Sequence, residues 1–170
     1  MDAPTDTPIV ATPVLADPLV QYRRWATVLF WILIAVGLLA GVIALAAMVA
    51  NATVVVALLL AVALGVGSLL YEVMALGRRE AWSVHAIRPL CFVIVAAGLF
   101  RVVVALAQSN ITIPLEVIGA LMVLTREHGP QYLPALPDAD RQRINLVVGI
   151  QIVSQVLPYV VAPGLTGVAG

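Results

Sequence analysis

From Trp25 to Ala50 the chain runs for 26 residues without a charged side chain. Roughly 18 to 20 such residues suffice for a helix to cross the hydrocarbon core of a bilayer. In lipid the chain must satisfy its own backbone N–H and C=O groups, so a run of this kind is restricted to helix. The small residues of "VANA" at 49–52 resemble a leader-peptide cleavage site. A leader's apolar core, however, is only about 7 to 15 residues long, so the stretch reads as a retained helix. Four more apolar segments follow, Val54–Leu76, Pro89–Ala107, Ile111–Thr125 and Ile144–Ala162. Composition agrees, with 62% hydrophobic and 11% charged residues and a mean hydropathy of +1.08, against roughly 25% charged in soluble domains.

The expected fold is all-α: a polytopic integral membrane helical bundle of about five transmembrane helices, forming one domain over residues 21–170. Residues 1–20, with four prolines and three aspartates, develop no periodic apolar face and are expected to be a mobile tail. Two segments admit a four-span alternative. Ile111–Thr125 is about 22 Å long as a helix, shorter than a hydrocarbon core of about 30 Å, and is a candidate re-entrant helix. Ile144–Ala162 carries Asn145, Gln151, Ser154 and Gln155 and is a candidate interfacial helix.

Loop arginines mark the cytoplasmic face. With five spans and the N-terminus inside, Arg23, Arg24, Arg78, Arg79, Arg88, Arg126, Arg141 and Arg143 all fall on one side, and the connections around Asn51 and Ser109 carry no charge. The expected location is a bacterial inner membrane, since all nine basic residues are Arg, as a GC-rich genome favours. Formal net charge is zero and no basic run occurs, which excludes a nucleic-acid surface. Trp25, Trp31, Trp82, Tyr22, Tyr71 and Tyr132 lie near predicted boundaries and are expected in aromatic belts.

Arg101 is the one arginine inside a span. It lies about 9 Å below the outer end of its segment and Glu116 about 7 Å below the start of the next. A charge at such depth is costly and normally pairs or faces a wet cavity. Arg101 and Glu116 therefore form a candidate intramembrane polar site, as a gate or anion site, as a static ion pair, or as separate groups. In the last case Pro114 opens the fourth helix, Glu116 accepts its orphan N–H groups, and Arg101 snorkels outward. Gln151 and Gln155, four apart with Ser154 beside them, extend the site as a polar stripe that must face protein or water. Pro158 lies just beyond them.

Gly37 and Gly41 are in G-x-x-x-G spacing, with Ala44 continuing the face, and Ala61, Gly65 and Ser68 do the same on the second span. Such faces let helix backbones approach closely, and these are candidate packing positions. Catalytic signals are weak. Cys91 is the single cysteine, His85 and His128 fall in expected loops away from any haem-ligating position, and neither a metal-ligand motif nor a nucleophile elbow occurs. No cofactor and no catalytic role are expected. The reading is a non-catalytic accessory or scaffolding subunit of a larger membrane complex, partnered by lipid and by a membrane protein or further copies of itself. The alternative is a small carrier or channel whose polar path includes Arg101, Glu116, Gln151 and Gln155.

Overall fold

A computed structural model describes residues 18–46, 52–107, 114–126 and 136–161, and every regular element among them is an α-helix. The elements are α1 (Pro18–Ala46), α2 (Ala52–Gly77), α3 (Ala81–Ala107), α4 (Leu115–Leu124) and α5 (Asp138–Val161). The chain is a helical membrane bundle: α1, α2, α3 and α5 are long and apolar enough to cross a membrane. At 10 residues α4 is about 15 Å long, half a hydrocarbon core.

Three helices begin well before the expected residue, each because charged residues join the helices they were taken to interrupt, whereas α4 begins later than expected, at Leu115 and not Ile111. The helix α1 begins at Pro18, a favoured first helical residue, so Leu19 and Val20 belong to it; residues 1–17 lie outside the described residues. The helix α3 begins at Ala81, eight residues before Pro89, which lies inside it. The break from α2 is only the turn 78–80. There Arg79 adopts φ 59°, and the N–H of Glu80 bonds the carbonyl of Ala75 at 3.1 Å, as at helix ends closed by a left-handed residue. The hydroxyl of Ser83 donates to the carbonyl of Glu80 at 2.7 Å, and burial of Trp82, Val84, Ala86 and Ile87 holds the added turns. The helix α5 begins at Asp138. Asp138 and Asp140 stand in its first turn, where the helix dipole favours acids, and each lies within 4.0 Å of the arginine three residues on.

Pair registers define an alternating path. Gly37 and Gly41 of α1 oppose Val66 and Val62 of α2, and Gly65 and Ser68 of α2 oppose Ser154 and Gln151 of α5. Descending partners mark antiparallel pairs in both cases. Gly98 and Arg101 oppose Val117 and Glu116, making α3 and α4 antiparallel. Leu29 meets Gly119, and Trp25 lies 4.3 Å under the guanidinium of Arg126, so α4 also runs against α1. Short as it is, α4 returns the chain towards the end of the bundle where α1 starts.

The best-packed part of the core lies at that end. Tyr22, Phe30, Trp82, Ile87 and Leu90 are all fully buried. Trp82 stacks on Tyr71 with centroids 5.5 Å apart and donates its indole N–H to Glu80 at 2.5 Å. It is therefore a core residue and not part of an aromatic belt, because the turns of α3 before Pro89 pack inward. Tyr22 is likewise buried, whereas Trp25 and Trp31 are exposed.

Candidate functional site

The close approach of α3 and α4 begins with a missing side chain. A Cβ on Gly98 would collide with Cγ2 of Val117 and lie 3.6 Å from Cβ of Pro114. That contact sets the start of α4 at the depth of Gly98, well below the end of α3. Pro114 occupies the cap position with extended backbone (φ −77°, ψ 98°), and the helix proper starts at Leu115. Pro114 is thus the residue before the helix and not its first residue.

Glu116, in the first turn of α4, stands 3.2 Å from Nη1 of Arg101. The other terminal nitrogen, Nη2, donates to Oε1 of Gln155 on α5 at 3.2 Å, and Nε points at the carbonyl of Ala97 at 3.4 Å. Arg101 therefore folds back along α3 and does not snorkel outward. It joins three helices through one planar donor fork, a geometry that guanidinium supplies and an ammonium does not. The side chain keeps 44% of its exposure, against 22% for Glu116, so the pair lies at the surface of the bundle and is not sealed within it.

One turn away, Gln151 meets different surroundings. It is 2% exposed, with Ser68 and Ser154 at 5%. The hydroxyl of Ser68 lies 2.6 Å from Oε1 of Gln151 and 2.9 Å from the carbonyl of Gly65. One hydroxyl proton serves only one of these acceptors. The amide of Gln151 in its alternative orientation donates to the Ser68 oxygen and relieves that conflict. The hydroxyl of Ser154 donates to the carbonyl of Gln151 at 2.7 Å, and Gly65 leaves room for it, since a Cβ there would lie 3.1 Å from Ser154 Oγ. The sequence-predicted stripe thus divides. Gln155 joins Arg101 and Glu116, whereas Gln151 joins Ser68 between α5 and α2.

Beside Arg101 and Gln155 a cleft of about 630 Å³ opens between α3 and α5. Phe92, Phe100, Ile152 and Val156 line it, and Phe100 meets Tyr159 edge to face at 5.1 Å. Its size falls in the range of ligand pockets, which are mostly apolar with a few polar groups. Gly37 and Gly41 lie apart from it, where added Cβ atoms would stand 2.9 Å and 3.3 Å from Val66 and Val62.

One residue escaped the sequence reading. Glu72 of α2 is fully buried, and neither carboxyl oxygen has a hydrogen-bond partner among the described residues. Leaving a buried polar group unpaired costs about 1–3 kcal/mol or more, so such a group calls for an explanation in strain or function. The signal was present: a lone acid in the apolar run "SLLYEVMALG". His85 lies within α3 and not in a loop, and its Nε2 is also buried without a partner. His128 lies outside the described residues. Among the described residues no three or more His, Cys, Asp and Glu side chains form a group able to hold a metal ion. No protein-family model matches the chain, and no curated protein or solved structure matches it.

Proposed function

We propose that the protein is a non-catalytic accessory or scaffolding subunit of a larger assembly in a bacterial inner membrane, with its N-terminus in the cytoplasm. The observation that carries this reading is the sealing of Gln151 and Ser154 on α5, which are buried and bond within the chain and against α2. Side chains used in this way hold helices in register and do not line an aqueous passage. The partner is a membrane protein or further copies of this chain, meeting the outward apolar faces such as Trp31, Leu39 and Val42 of α1. Mild-detergent extraction from native membranes, followed by mass measurement of the tagged protein, tests this: a larger complex of defined composition is expected, and a stable monomer with no companion overturns it.

The orientation rests on the arginines. Arg23 and Arg24, the turn arginines Arg78 and Arg79, Arg126 over Trp25, and Arg141 and Arg143 in the first turns of α5 belong to one end of an alternating bundle. That arrangement agrees with a cytoplasmic N-terminus. Cysteines introduced at Ser109 and Gly167 are expected to react with an impermeant reagent from outside the cell.

The cleft beside Arg101 favours a second reading, a small carrier whose solute passes along α3 and α5. It requires solute flux in proteoliposomes that Arg101→Leu abolishes while the protein remains folded. Flux unchanged by that substitution removes this reading.

A further inference from the structure

We infer that the cleft between α3 and α5 is a binding site for an anionic lipid, which lays its apolar chain along the cleft and sets a carboxylate or phosphate oxygen on the guanidinium of Arg101. The lining is suited to such a molecule. Phe92, Ala96, Phe100, Ile152 and Val156 present hydrocarbon and aromatic surface, and polar atoms collect at Arg101 and Gln155. Phe92, Phe100, Ile152 and Val156 are each about half exposed, so the cleft opens sideways from membrane-crossing helices, the direction from which a lipid arrives.

The guanidinium has capacity left for an anion. Of its five N–H groups, those facing Glu116, Gln155 and the carbonyl of Ala97 account for three. One hydrogen on each terminal nitrogen remains without a partner among the described residues, on a side chain that is 44% exposed and lines the cleft. Each is a charged donor that suits a carboxylate or phosphate oxygen. Glu116 already draws on the same positive charge, so it orients Arg101 while weakening the site for anions. An aqueous anion has no comparable reason to occupy the cleft, since its lining is apolar. The occupant is therefore a lipid and not free phosphate.

The test compares oleate with oleyl alcohol, which carries the same chain without the charge, by native mass spectrometry of the delipidated full-length protein. Oleate is expected to bind and oleyl alcohol to bind about tenfold more weakly, the effect of one hydrogen-bonded charge; inorganic phosphate at millimolar concentration should not displace oleate. Arg101→Gln should remove the preference for oleate over the alcohol. Because Arg101 also ties three helices together, two further variants keep the test independent of folding. Ala96→Phe, at the exposed rim, fills the cleft and leaves the ion pair in place, and it should abolish binding of both compounds. Glu116→Gln frees the guanidinium and should strengthen oleate binding severalfold, whereas a merely structural ion pair would only lose stability. Equal binding of acid and alcohol, retention of oleate in Ala96→Phe, or weaker oleate binding in a folded Glu116→Gln protein would each overturn the inference.

Discussion

Gln151 and Gln155 share one face of α5 a single turn apart, yet the bundle treats them in opposite ways. Gln151 is sealed against α2 by Ser68 and Ser154 and is 2% exposed. Gln155 reaches across to an arginine that keeps 44% of its side-chain exposure beside a cleft. The neighbouring backbones decide the difference. On the α2 side, Gly65 admits Ser154 and brings the helices together. On the α3 side, Gly98 is filled by Val117 of α4, and a cleft lies between α3 and α5 beside Gln155. A polar stripe in a membrane helix is therefore not one functional unit, and its members divide between stitching and accessible chemistry according to what packs opposite.

The largest expected effect lies at the close contact that builds the open region. Gly98→Ala should push α4 away from α3 and cost about 2–3 kcal/mol, because Val117 is β-branched and turns aside poorly in a helix. Unfolding in a denaturing-detergent titration measures it, and a neutral result would mean that α4 shifts freely.

Next comes the sealed region. Gln151→Leu should cost about 1 kcal/mol by removing the bond between α5 and Ser68, which keeps only the carbonyl of Gly65, and adding Ser68→Ala should recover part of the loss. The same titration on both variants gives the coupling. Additive losses would show that the two side chains do not interact.

Glu72→Met should have the opposite sign. Replacing an unpartnered buried carboxyl by an apolar chain of similar volume should stabilise the fold by about 1 kcal/mol. Stability gained together with loss of a co-purifying partner would mark Glu72 as a functional position, since functional groups are often kept at the expense of stability.

The smallest effect is expected at the ion pair between α3 and α4. A double-mutant cycle on Arg101 and Glu116 should give a coupling of about 0.6 kcal/mol, as is typical of polar pairs between membrane helices. A value several times larger would mean that the pair is shielded from solvent and that the cleft is closed in the membrane.

Much of this was legible in the residues themselves. The four membrane-length helices follow from apolar length, whereas the fifth expected span is the short α4, and the matched depths of Arg101 and Glu116 foreshadow a contact that the structure places at 3.2 Å. The G-x-x-x-G spacing of Gly37 and Gly41 likewise marks the side of α1 that meets Val62 and Val66. Other features were hidden. "GRREAWSVHAIR" reads as a polar interruption because its charges are counted along the chain. Only the packing of Trp82, Val84, Ala86 and Ile87 reveals a buried helical face. Asp138 to Arg143 read as loop for the same reason, although in three dimensions they are the first turns of α5, with acids at the favourable end of its dipole.

What the sequence by itself determined is solvent and secondary structure: a chain this apolar enters lipid, and lipid compels each apolar run to close its own hydrogen bonds as helix. Those are sums over local residues. Which polar groups are sealed, which remain accessible and which are left without a partner were decided by tertiary structure alone. Gln151, Gln155 and Glu72 acquire their different surroundings only when glycines and short side chains on other helices set how closely the backbones approach. Such steric fits are properties of residue pairs far apart in the chain, and no reading along one segment contains them.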